Sequence, residues 1–254
     1  MHGVLLDIDG TVTAAGEPIP GAARAIQELR DAGVPLLFAT NTSRKSRREV
    51  ADALREADIP VQDDEVLSAA YAAAAWLRTR GMKRVRLLLP RGAQEDYADF
   101  DSASDPPEAV VVGDLGDQVT FAQLNRAFRD LHAGARLVAT QKNRAWKAAD
   151  GWTLDAGAFV AGLEYAADVE ALVIGKPATG FFEMAAAALG HPLENLIMVG
   201  DDLDSDVGGA QRAGLRGVLV RTGKFDADKL ADSEIRPDAV LDSLADLPAW
   251  LASA

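Results

Sequence analysis

No cysteine occurs in the 254 residues. That excludes a disulfide framework, a thiolate metal site and a cysteine nucleophile. Histidine is nearly as scarce. His2, His132 and His191 stand far apart, which argues against a His-rich zinc site. No apolar run reaches the roughly 18 residues of a membrane-spanning helix. The N-terminus passes straight into a short apolar run ending in acids, unlike a signal peptide. A cytoplasmic location is the expectation. Basic residues are in deficit, with 26 Lys and Arg against 39 Asp and Glu and a net charge of −13. Nucleic acid and anionic membrane surfaces, which need Lys and Arg patches, are therefore not expected as partners. A small anionic substrate is compatible, because a local site can be positive inside an acidic protein.

What is present suffices for a sizeable core: 48% of the residues are apolar. The length fits one large domain or two small ones. Apolar runs and helical patterns alternate. Gly3–Ile8 reads as a strand, Gly21–Ala32 as a helix with Ala22, Ile26 and Leu29 on one face, and Val34–Thr40 as a second strand. Ser43–Ala57 reads as a helix, and a third is expected from a cap at Asp64 to Arg80. Alternation returns with the strands Ala171–Ile174, Leu196–Val199 and Gly217–Val220. This predicts an α/β fold built on a doubly wound parallel sheet. The middle differs in texture, with a polar Asp/Ser/Pro stretch from Asp99 to Pro107 and a second one from Asn143 to Trp152. Residues 77–168 are expected to form an inserted α/β domain, with 1–76 and 169–254 as the core. Trp146 and Trp152 read most simply as packing residues of that insertion.

Four strand ends carry polar residues suited to metal and phosphate chemistry. The first is Asp7-Ile8-Asp9-Gly10-Thr11. In a parallel sheet, ligands bind at the carboxyl ends of strands. Two carboxylates this close stay ionised only with a cation or strong donors between them. That suits a hard divalent ion such as Mg²⁺. An Asp-Gly turn is the plainer alternative. The second is Thr40-Asn41-Thr42-Ser43-Arg44, whose hydroxyls and amides at a helix start suit an anion. One of Thr42 and Ser43 serves equally as a helix cap. The third is Gly175-Lys176-Pro177, a fixed positive charge fit to hold phosphate and offset the aspartates, unless it is an ordinary surface lysine. The fourth is Gly200-Asp201-Asp202-Leu203-Asp204-Ser205-Asp206, four acids in six residues after a buried strand. A helix N-terminus favours acids, which accounts for Asp204 better than for the rest.

In this order the four motifs resemble the haloacid dehalogenase (HAD) superfamily of phosphotransferases, and the insertion resembles its larger, C2-type cap. The stretches Phe121–Lys176 and Asn195–Phe225, including Arg221-Thr222-Gly223-Lys224-Phe225, resemble one subgroup more closely. That subgroup contains phospholysine phosphohistidine inorganic pyrophosphate phosphatase and the HAD-like hydrolase domain-containing proteins. The resemblance implies a Rossmann-like core and a Mg²⁺-dependent phosphatase acting through an aspartyl-phosphate. It implies Asp7 as nucleophile and Asp9 as general acid and base. It implies Mg²⁺ held by the Asp7 and Asp201 carboxylates and the Asp9 carbonyl. Asp206, and less directly Asp202, would stand behind those ligands. Thr40, Asn41 and Lys176 would bind the transferring phosphoryl oxygens. Asn143 and Lys147, by position, are the candidate substrate contacts of the cap. Inorganic pyrophosphate and P–N phosphates come first among small phosphorylated substrates, and a homodimer through the cap is an expectation. A dehalogenase would need no second acid at Asp9. A phosphate sensor or a mutase-like phosphotransfer protein on the same fold is the alternative.

Overall fold

The computed structural model describes residues 3–148 and 151–253, apart from the side chains of 146–148. The chain divides into two compact units. The first takes residues 1–40, 48–67 and 176–254, and the second takes 41–47 and 68–175. The insertion expected at 77–168 lies within the second.

The first unit is built on a six-stranded sheet. Its order is Ala239–Leu241, Arg216–Val220, Leu196–Gly200, Gly3–Asp7, Leu36–Thr40 and Val66–Ser68. The pairings among the first five of these are parallel. Gly3–Asp7, Leu36–Thr40 and Leu196–Gly200 are buried at every position, which is why they read as unbroken apolar runs. Val4, Leu6, Phe38, Ile197 and Val199 share one core with Ile26 and Leu29 of helix Ala22–Asp31 and with Val50 and Leu54 of helix Arg47–Glu56. Gly3–Asp7 lies where strand order reverses. The chain moves outward on one side through Leu36–Thr40 and later returns on the other through Leu196–Gly200. In parallel sheets such a reversal, at the carboxyl ends of the strands, is where ligands bind.

The second unit has its own parallel sheet, ordered Leu172–Val173, Arg136–Ala139, Ala109–Val112 and Val85–Leu88. Val110, Val112 and Leu137 pack with Leu131 of helix Phe121–His132 and with Val160 and Leu163 of helix Ala156–Ala167. Thr120 and Gln123 cap the first of these helices reciprocally, and Asp155 caps the second.

Three local expectations are corrected. The helix expected from Asp64 to Arg80 is a single 3₁₀ turn, Asp63–Glu65, then the strand Val66–Ser68, then the helix Ala69–Thr79 capped by Ser68. The helix expected at Ser43–Ala57 begins only at Arg47. The polar stretch after Asn143 is an antiparallel hairpin, Ala145–Ala148 with Gly151–Leu154. On it Trp152 is 79% exposed, so it is not a packing residue. The side chain of Trp146 lies outside the described part. Among the described residues no helix is long and apolar enough to cross a membrane.

Candidate active site

Asp7 is the last residue of the first strand and is buried. Beside it, the strand Leu196–Gly200 delivers Asp201, also buried. The chain then makes one wide helical turn, Leu203–Gly208, which sets Asp206 back against the strand end. Gly200 is required there, because a Cβ would overlap the Asp206 carboxylate. Lys176, 3% exposed, opens the return of the chain to this unit. Its Nζ donates to Asp7 Oδ1 at 2.5 Å, to Asp206 Oδ1 at 2.7 Å and to the Ala39 carbonyl at 3.3 Å. Asp7, Asp201 and Asp206 each offer an oxygen within 4.8 Å of the others.

Three buried acids and one buried base leave an excess of negative charge. Burial pushes Asp7, Asp201 and Asp206 each up to about 6. Lys176 pulls Asp7 and Asp206 back down but does not overcome that penalty. Burial would lower the Lys176 ammonium, yet Asp206 and Asp7 outweigh it and hold the group above its ordinary value. Both Asp206 oxygens are engaged, Oδ1 by Lys176 and Oδ2 by the Asp202 N–H at 3.2 Å. Asp201 Oδ2 accepts the Lys224 N–H at 2.7 Å, while its buried Oδ1 has no hydrogen-bond partner among the described residues. An unpartnered carboxylate oxygen in a buried acid cluster is costly without a cation. The donors are all hard oxygens, which fits Mg²⁺.

Thr40 is buried at the end of the strand next to Asp7. Asn41 follows it and opens the segment 41–47, which groups with the second unit. Asp9 is exposed, outside the three-acid cluster, and its main chain bridges Thr13. Asp202 Oδ1 caps the wide turn by accepting from the Asp204 and Ser205 N–H groups, both at 3.1 Å. Asn143 is exposed in the second unit and donates its N–H to Gln141 Oε1 at 2.5 Å. Lys147 pairs with Trp152 in the hairpin, and its side chain lies outside the described part. Thr222, Gly223 and Lys224 reach Gly10 and Asp201 but have no role assigned from the sequence. Their signal is a glycine between a hydroxyl and a lysine, one residue beyond a buried strand.

Comparison with known proteins agrees with this geometry. A family model described as haloacid dehalogenase-like hydrolase matches residues 4–102, and a second, HAD-hydrolase-like, matches 173–247. The chain is 37% identical over 252 residues to phospholysine phosphohistidine inorganic pyrophosphate phosphatase of Rattus norvegicus, covering 97% of this chain and 92% of the relative. It is 38% identical over 241 residues to haloacid dehalogenase-like hydrolase domain-containing protein 2 of Homo sapiens, covering 95% and 91%. Among solved structures, p-nitrophenyl phosphatase from Archaeoglobus fulgidus superposes with a TM-score of 0.92 at 29% identity, covering 98% of each chain. NagD from E. coli K-12 superposes with a TM-score of 0.89 at 26% identity, covering 97% of this chain and 98% of that one.

Proposed function

The chain belongs to the haloacid dehalogenase-like hydrolases and is a phosphatase, and from that premise we propose a Mg²⁺-dependent enzyme that hydrolyses small phosphorylated compounds through an aspartyl-phosphate. The observation that carries this reading is the buried Asp7–Lys176–Asp206 cluster with Asp201 beside it, at the point where strand order reverses.

Asp7 attacks phosphorus, the leaving oxygen departs, and water then hydrolyses the aspartyl-phosphate, so one difficult step becomes two. Lys176 keeps Asp7 oriented and its charge partly balanced through the contact to Oδ1. Asp9, two residues on and open to solvent, donates a proton to the leaving oxygen and later accepts one from the attacking water. Thr40, the adjoining Asn41 and Lys176 bind the phosphoryl oxygens, where most of the catalytic effect in phosphoryl transfer lies. The Asp7 and Asp201 carboxylates and the Asp9 carbonyl would hold Mg²⁺, which would supply neutralisation of charge on the phosphoryl oxygens. Asp206, with both oxygens already engaged, suits a supporting place behind those ligands.

The rat relative's name puts inorganic pyrophosphate and P–N phosphates first among substrates. Asn143 and Lys147 of the second unit remain the proposed substrate contacts. A homodimer through that unit is part of the proposal, since Phe121, Trp152, Leu154 and Tyr165 are exposed there. Light scattering that gives only the monomer mass removes it.

The test is phosphate release from pyrophosphate, a P–N compound, p-nitrophenyl phosphate, sugar phosphates and pyridoxal phosphate, with and without Mg²⁺. Release is expected only with the metal, and Asp7→Asn is expected to lower it by at least about 10³-fold. Ligand binding by calorimetry without any release would overturn catalysis in favour of a sensor. Phosphoryl transfer to a second substrate with little transfer to water would indicate a mutase.

A further inference from the structure

The loop after the strand Arg216–Val220 lies against Asp201 and has no part in the mechanism above. Leu219 pairs with Gly200, so this strand ends beside Asp201. The next residues then bend back over the first turn of the chain. Thr222 Oγ1 donates to the Gly10 carbonyl. Gly223, at φ 58°, sits where a Cβ would overlap Asp201 Oδ2 and come within 2.6 Å of Gly10 Cα. Gly10, at φ 95°, has the mirror constraint, because its own Cβ would also overlap Asp201 Oδ2. Two glycines from distant parts of the sequence therefore close on one carboxylate oxygen. The Lys224 N–H donates to that same oxygen at 2.7 Å.

We propose that Thr222, Gly223 and Lys224 form a positioning clamp that reserves Asp201 Oδ1 for the cation. The clamp occupies Oδ2 with a hydrogen bond and two close backbones, so the carboxylate has one fixed orientation. Oδ1 is left buried and without a hydrogen-bond partner among the described residues. The Thr222 hydroxyl holds the clamp shut by tying its loop to the Gly10 turn, which follows Asp7 and Asp9 directly. Thr222 and Gly223 thus act through Asp201 and Gly10 and touch neither substrate nor reacting atoms. Partners behind a metal ligand typically change affinity by about 10–100-fold when removed.

This inference rests on the metal-dependent reading above, and one titration series separates the two. Calorimetric titration of Mg²⁺ is run on metal-free wild type, Asp201→Asn, Thr222→Val, Thr222→Ser and Gly223→Ala, with melting curves to show that each variant is folded. Asp201→Asn is expected to abolish binding. Thr222→Val and Gly223→Ala are expected to weaken it by about 10–100-fold. Thr222→Ser, which keeps the hydroxyl, is expected to restore it. At saturating Mg²⁺ the substrate KM of Thr222→Val stays at the wild-type value, while its half-saturating Mg²⁺ rises. If Asp201→Asn loses Mg²⁺ but Thr222→Val and Gly223→Ala bind like wild type, the clamp is overturned and the metal site stands. If Asp201→Asn binds like wild type, the metal reading fails and the clamp fails with it. A Gly223→Ala that does not fold leaves the Thr222 pair to decide.

Discussion

Lys176 holds a full charge where almost no water reaches it, and two carboxylates lean on that charge at 2.5 and 2.7 Å. A buried pair of this kind adds little net stability over an apolar substitute of the same shape. Removing one partner alone is different, because the remaining charges are stranded. Lys176→Met keeps the bulk and deletes the cation, leaving Asp7 and Asp206 facing each other and Asp201. The expected cost is about 3–5 kcal/mol at pH 7, measured by urea unfolding without metal. A loss below about 1 kcal/mol, the scale of an exposed ion pair, would show that the cluster is solvated in solution. The sequence made Lys176 visible only by its place between Gly175 and Pro177 after an apolar strand. Its contact with Asp206 was not visible, because it depends on how a six-residue turn folds back after Gly200. Trp152 shows the opposite limit. Aromatic rings are usually buried, and nothing local in the sequence reveals that this one stands on an exposed hairpin.

At the level of elements, the short 3₁₀ turn Glu95–Tyr97 carries a carboxylate whose titration can be followed. Asp96 accepts the Arg47 N–H at 3.2 and 3.1 Å, and burial pushes it up to about 6 from an ordinary 3.8 against that hydrogen bond and the Arg47 charge. Its folded value lies above its unfolded one, so the folded state binds more protons between those limits. Its contribution is fully present below about pH 4 and is lost as pH rises through about 6. Asp96→Asn stays neutral throughout and can still accept the N–H. Relative to wild type, the variant is expected to gain stability from pH 4.5 to 7. Solvent screening of this half-buried group keeps the gain to roughly 1 kcal/mol or less. Urea midpoints that differ by the same amount at both pH values would remove the shift. Elements of this size are also where sequence and structure part company. Helix Phe121–His132 is capped at Thr120 and amphipathic, and its bounds are legible. The strand Val66–Ser68 is not, because three residues are too few to show a period of two, and the alanine run after it reads as helix.

Across the whole molecule, the acids of the cluster come from residues 7, 201 and 206, and all lie in the first unit although the second unit's long segment, 68–175, separates them in sequence. Alternating strands and helices made the sheet legible, and the strand ends made its ligand side legible, since parallel sheets bind there. The balance of charge over the molecule is −13, so any cation screens some repulsion. A specific site must do more than that. A divalent ion at 100 times its dissociation constant adds about 2.7 kcal/mol to the folded state. For a chain of this size that corresponds to roughly 5–10 °C in Tm. MgCl₂ is therefore expected to raise the Tm of wild type by that much beyond NaCl of equal ionic strength, and Asp201→Asn is expected to respond to both salts alike. Screening acts on all 39 acids, whereas binding acts on the few around Asp201 Oδ1, so the single substitution separates them. A wild-type midpoint that moves no further in MgCl₂ than in the matched NaCl would assign the whole effect to screening and take the cation out of the cluster.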